Sequence, residues 1–186
     1  MDATTYTAFQ GDRRLVTAPL AELLHILKHH HDQQHDRHLD VVIFDDRTGR
    51  HVDFDLTGTL DDVLARYVSP APAGPDRPKL GVTARDVTLL PRHWAWLDEQ
   101  QGGASAALRR LVDEARKHDP RGQEARRAIE TTRLFITAMA GDHPYYEEAL
   151  RALYARQSDL FAHHTASWAS DVRTHAARLA EPAFTS

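Results

Sequence analysis

Three groups of residues in this 186-residue sequence have types and spacings that could carry chemistry. The first is histidine-rich: "HILKHHHDQQHDRH", residues 25–38, holds six histidines. His25 and His29 stand one helical turn apart with Glu22 near them, a spacing that can hold zinc or nickel. A working metal centre also needs a third ligand on a rigid frame and partners that orient the ligands. Here the helix frays after His31 into a polar connection, so no metal site is expected, and His25, His29 and Glu22 are the residues that come nearest to one. His31 continues an apolar stripe and is expected to be partly buried.

The second group is the hairpin "FDDRTGRHVDFD", residues 44–55, which brings Asp45, Asp46, His51, Asp53 and Asp55 together. Clustered carboxylates can bind magnesium, and with a histidine they can exchange protons. The plainer reading is a turn followed by the solvent face of an alternating strand. The third group is basic. Arg77, Lys79 and Arg85 precede a short apolar run, and Gly103, Ser105, Arg109 and Arg110 open a later helix. Free amides at a helix start attract phosphate, Ser105 is expected to cap that helix, and the arginines lie one turn further on.

Other chemistries have nothing to start from. The chain has no cysteine, which excludes disulfides, thiolate zinc sites and a cysteine nucleophile. Nucleophile-elbow, phosphate-loop, dinucleotide and H-E-x-x-H patterns do not occur. Neither an enzyme nor a cofactor is expected; an enzyme using the hairpin 44–55 is the third reading. The net charge of −4 argues against a protein that is basic throughout. Residues 1–70 carry twelve acids and seven bases, whereas residues 75–117 carry eight bases and six acids, a slight local basic surplus.

The elements that must position these residues are legible from periodicity. "TYTAFQ" and "RRLVTA" predict two strands around the turn "GDR". Pro19 opens a helix with Leu20, Leu23, Leu24 and Leu27 on one stripe. "LDVVIF" predicts a strand, and "RHVDFDL" a second that alternates apolar and charged residues. Residues 1–70 thus form a small ββαββ layer, one helix covering a mainly antiparallel sheet. "SPAPAGPDRP" cannot continue a helix or a central strand and marks a linker over 71–84. "RDVTLL" is the last strand-like segment. Beyond Pro91 the pattern is helical, over roughly 91–100, 104–117, 122–140, 143–156, 158–166 and 170–180. Gly141 is expected to close one helix in the left-handed conformation. Asp142 and Ser170 are expected to cap later ones, and Trp168 to anchor the last. Tyr146, Leu150, Leu153 and Tyr154 share a face and read as core. The fold class is α+β, with segments 1–70, 71–84, 85–117 and 118–186.

Two resemblances rest on quoted stretches. "RPKLGVTARDVTLLPRHWAWLDEQQGGASAALRRLVDEAR", "ITAMAGDHPYYEEALRALYA" and "WASDVRTHAARLA" resemble the bacterial domain-of-unknown-function family 2239 across most of the chain. Residues 85–117 also resemble a ribbon-helix-helix unit, in which two chains pair one strand each and lay the ribbon in the DNA major groove. That resemblance implies a homodimer, with DNA as the candidate partner. In its usual register Leu90 faces the core, while Arg85, Val87 and Leu89 face the groove, where base edges call for donors and acceptors. Sliding by one residue exposes Leu90 and turns Asp86 toward phosphate, which repels it. The helix start and its arginines suit phosphate better than the strand suits bases.

The function expected is that of a non-enzymatic bacterial protein with weak, shape-tolerant DNA binding or transcriptional regulation; the alternative is a homodimeric interaction or scaffolding module in which Trp94, Leu97, Leu108, Leu111 and Val112 only pack. No run of about 18 apolar residues exists, and the first residues lack a basic segment followed by an apolar core. Neither a membrane partner nor a secretory leader is expected; a cytoplasmic location is.

Overall fold

The computed structural model describes residues 4–33, 41–68 and 86–185, without the side chain of Arg116. Chain contacts divide it into two compact units, one formed by 1–69 with 121–186 and the other by 70–120. The expected linker 71–84 lies outside the described residues. The fold is α+β.

In the first unit, strands β1 (Thr5–Gln10), β2 (Arg13–Pro19), β3 (Val41–Asp45) and β4 (His51–Val52) form one antiparallel sheet in the order β2-β1-β3-β4. Gly11, with φ +53°, makes the first turn, and the register slips between Ala8 and Phe9, a bulge in the β1–β2 pair. Helix α1 (Leu20–Gln33) buries Leu23, Leu24 and Leu27, while His31 is exposed. The β4 ladder stops at Val52. The alternation read from "RHVDFDL" persists in burial, because Val52, Phe54 and Leu56 pack on the core while His51, Asp53 and Asp55 face solvent.

The sheet is covered on both faces, not on one. Ala8 and Ile43 join Leu23 and Leu27 on the α1 side. Phe9 and Phe44, one residue further along each strand, point the other way into a core made by the C-terminal helices. The continuous apolar run of β3 is the local cause, since a strand apolar at successive positions can bury both faces. The second layer comprises α5 (Pro120–Ala140, taken from Arg121 onward), α6 (Tyr146–Tyr154), α7 (Ser158–His164) and α8 (Ser170–Phe184). Phe135 is its centre, with ring centroids 5.5 Å from Phe9, 5.0 Å from Phe44 and 4.6 Å from His175.

Helix α2 (Leu60–Tyr67) was not expected. Its start carries a capping box, in which the Thr59 hydroxyl accepts from the Asp62 amide and the Asp62 carboxylate accepts from the Thr59 amide. Several expected caps are replaced. Gly141 does not have positive φ, Tyr145 (φ +62°) precedes α6 in place of Asp142, and Ala169 precedes α8 with Ser170 inside it. Trp168 is buried, and its indole donates to the Pro144 carbonyl at 2.9 Å, holding the entry to α8. Leu153 is fully buried and Tyr146 and Leu150 partly so, but Tyr154 is exposed.

The second unit contains α3 (Pro91–Asp98) and α4 (Gly103–His118), which pack on each other. Residues 86–90 are not a strand in the single chain. A lone extended segment has no ladder partner to satisfy its amides and carbonyls. The four strands of the described sheet all lie between Thr5 and Val52, so this segment is no interior member of it.

Candidate functional site

The second unit carries most of the basic residues singled out in the sequence. Pro91 starts α3 at its first turn, where a missing N–H is tolerated, and the Leu90 carbonyl accepts from His93 and Trp94. Gly102 (φ +83°) caps α4 without a side-chain hydrogen bond, and Gly103 (φ +73°) follows it. Ser105 is therefore not the cap. It lies inside the helix, and its carbonyl accepts from the Arg109 guanidinium at 3.1 Å. Arg110 reaches Gln100 at 3.4 Å and Glu114 at 4.0 Å. Both arginines are thus exposed on a helix face and engaged locally. Arg77, Lys79 and Arg85 lie outside the described residues.

The apolar side chains of this unit are distributed unexpectedly. Leu97 and Ala107 are buried between the two helices, but Leu90, expected to face the core, is exposed, and so are Trp94, Leu111 and Val112. Trp96 and Val87 join them. These six side chains are between 38% and 56% exposed, and they make up six of the eleven large apolar residues exposed among the described residues. A unit of two short helices has too little interior to bury them all.

The histidine helix leaves its candidate ligands at the surface. Glu22, His25 and His29 are exposed, and His29 contacts the Gln33 amide at 2.8 Å. Among the described residues no group of three or more His, Asp or Glu is placed to hold a metal ion.

The hairpin 44–55 disperses its charges. Asp45 accepts from the Arg47 amide and shapes the turn, His51 meets Asp53 at the surface 3.2 Å away, and Asp55 pairs with Arg66. Asp46 differs, because its side chain is only 5% exposed. Its Oδ2 accepts from the Thr5 hydroxyl at 2.7 Å, the Thr7 hydroxyl at 3.0 Å and the Arg178 guanidinium at 2.7 Å. Its Oδ1 lies 3.3 Å from Nε2 of His175, close enough to attract but not aligned as a hydrogen bond. The turn also docks on α5, where the Thr131 hydroxyl donates to the Arg47 carbonyl at 3.1 Å. Gly49 (φ +69°) comes so close that a Cβ there would stand 2.1 Å from the Thr131 carbonyl oxygen.

His175 is fully buried, edge-on to Phe9 and Phe135. Burial pushes its pKa down; Asp46 pulls it back up, and Arg178 and Arg14 oppose the charge again, leaving it below the ordinary value. For Asp46 burial alone favours the neutral acid, but the contacts from His175, Thr5 and Arg178 outweigh it and hold the carboxyl below its usual range. A cleft of about 160 Å³ opens beside this turn, between Arg47, Glu124, Arg127 and Leu179. Neither His175 nor Oδ1 of Asp46 reaches its surface.

The profile of a family described as "Uncharacterized protein conserved in bacteria (DUF2239)" matches residues 5–180. The chain is a DUF2239 protein. No curated protein and no solved structure gives a significant match to it. Among the described residues of this DUF2239 chain, no helix is long and apolar enough to cross a membrane.

In the sequence of this DUF2239 chain Asp46 is one of five Asp and His residues of a hairpin, and nothing near it points to His175. The signal for His175 was present. Val172, His175, Ala176, Leu179, Ala180 and Ala183 fall on one helical stripe, and all six are buried. A histidine in such a stripe must find a polar partner across the core.

Proposed function

We propose that this DUF2239 protein is a non-enzymatic assembly protein that forms a homodimer through residues 86–118. The observation that carries the reading is the exposed apolar set Val87, Leu90, Trp94, Trp96, Leu111 and Val112, concentrated in one small unit. Apolar surface of that kind is what interfaces bury, with tryptophan as a frequent anchor. The segment 86–90 before Pro91 belongs to no sheet in the single chain, and a second copy could match it by strand pairing. Sedimentation of the full chain tests this. A dimer is expected, and Trp94→Glu with Trp96→Glu should give a folded monomer. A wild-type chain that stays monomeric across micromolar concentrations contradicts the reading.

Contact with the DNA backbone, and through it a regulatory role, is a second reading of the same unit. It is supported by the start of α4, where two glycines and no side-chain cap leave the positive end of the helix uncovered by any capping side chain. Its arginines are charged and accessible. Such contacts position a protein without selecting sequence. Retention on duplex DNA at low salt should weaken on every sequence when Arg109 and Arg110 become alanine. No retention at low salt rejects it. The third reading, an enzyme using hairpin 44–55, has less support, because His51 and Asp53 pair at the surface while Asp46 is enclosed by Thr5, Thr7 and Arg178.

A further inference from the structure

The buried centre around Asp46 holds a histidine whose tautomer follows from its neighbours. Nδ1 of His175 lies 3.3 Å from the Arg178 guanidinium, which can only donate. Nδ1 must therefore present its lone pair, so the ring proton sits on Nε2, facing Oδ1 of Asp46. A second ring proton would have to go on Nδ1, against the N–H groups of Arg178. The Asp46 carboxylate is already matched by that guanidinium and two threonine hydroxyls, so a charged His175 would leave an excess positive charge inside the fold.

No other element offers relief. From β1 and α5 the ring meets the uncharged rings of Phe9 and Phe135. From β2 the charged group that acts on it is Arg14, also a cation. Asp171, one turn earlier on α8, accepts from the Arg14 backbone amide.

We propose that Asp46, His175 and Arg178 form an acid-released clamp: while His175 is neutral, the Asp46–Arg178 pair holds the turn between β3 and β4 against α8, and protonation of His175 lets that turn go. Release is confined at first to residues 45–50, whose ion pair with α8 is that of Asp46 with Arg178. On α5 the turn keeps the Thr131 hydrogen bond to the Arg47 carbonyl, the close seat of Gly49 on Thr131 and the attraction of Arg50 for Glu130, so what acid loosens is its hold on α8.

Amide hydrogen exchange on the full chain tests the clamp, read at Asp46 and Gly49, whose amides donate to Thr5 and Asp45, and at Ala8 as an in-sheet control. Between about pH 7.5 and 5.5, after correction for intrinsic exchange, protection of the two turn amides relative to Ala8 should fall as pH drops through about 6.5, the ordinary histidine value at which the opened ring takes up a proton. His175→Gln can donate to Asp46 and accept from Arg178 without titrating, and it should abolish that dependence. An equal loss in H175Q, or unchanged turn protection in the wild type, overturns the clamp. Should H175Q fail to fold, the wild-type ring resonance decides. Turn amide shifts that move with the His175 titration support the proposal; shifts that move independently, or a ring that stays neutral down to global unfolding, reject it.

Discussion

Asp46 accepts three hydrogen bonds on one oxygen, and that concentration determines what its loss would do. Asp46→Ala leaves Thr5, Thr7 and Arg178 without their acceptor beneath the turn. The guanidinium of Arg178 is 43% exposed and can rehydrate, so the expected loss is about 2–3 kcal/mol, below that for breaking a fully enclosed pair, read from urea denaturation. Gly49 and Gly11 form a natural comparison, since both have positive φ. At Gly11 a methyl group meets nothing within 4 Å, and Gly11→Ala should cost only the left-handed strain, about 1 kcal/mol. At Gly49 the same methyl collides with the Thr131 backbone, so Gly49→Ala should cost at least about 2 kcal/mol more, measured in the same denaturation series. Acid acts on this region in two stages. Below about pH 6.5 the unfolded chain binds a proton at His175 that the folded chain resists, so the contribution present above that pH declines as pH falls. Asp46 follows in stronger acid: its stabilisation is full above the ordinary carboxyl range, about 3.9, and is lost as pH falls through its lower folded value. Urea midpoints taken at pH steps should decline in both ranges, with H175Q lacking the first.

At the scale of elements, helices and strands were legible wherever local chemistry alone decides them. The strand β1 was read at its full length, and α3 to α8 fall within a few residues of the predicted spans, because apolar periodicity and Pro or Gly breaks are local signals. Helix α2 was missed although Thr59 and Asp62 announce it. At eight residues, with Val63 its one fully buried side chain, its apolar stripe is too short to stand out from the preceding strand. Thr59→Ala should lower the protection of α2 amides by an amount matching about 1 kcal/mol, while β1 amides stay unchanged, in hydrogen exchange. What could not be read locally was pairing across distance. Nothing near Asp46 in sequence specifies His175 or Arg178, and nothing near Phe9 specifies Phe135. The site was therefore legible as separate residues, a carboxylate in a turn and a histidine in an apolar stripe, but not as a constellation.

At the scale of the whole molecule, the two units distribute their apolar residues in opposite ways. The first encloses Phe9, Phe44, Phe135, Phe161 and Trp168 in one core. Phe135→Ala there should cost about 3–5 kcal/mol and lower the unfolding midpoint without changing the mass in sedimentation, since the residue is buried in the first unit and is not among residues 86–118 of the proposed interface. The second unit leaves its tryptophans half-exposed, so its substitutions should do the reverse. Trp94→Glu with Trp96→Glu is expected to change association far more than the stability of the first unit, with calorimetry and sedimentation measured on one sample.

The sheet's second face has a further consequence for how the protein is made. Phe9 and Phe44 are covered by side chains of α5 and α8, so they leave the ribosome long before their partners exist. At roughly 5–20 residues per second, the wait from Phe44 to Phe135 is on the order of ten seconds. Through that interval α1 can shield one side of the nascent sheet, while the other stays open to water and to neighbouring chains. Completion of the first unit therefore waits on synthesis of its helical layer, and a message cut short after the second unit would yield a polypeptide with its phenylalanines outward, a natural client for chaperones and proteases.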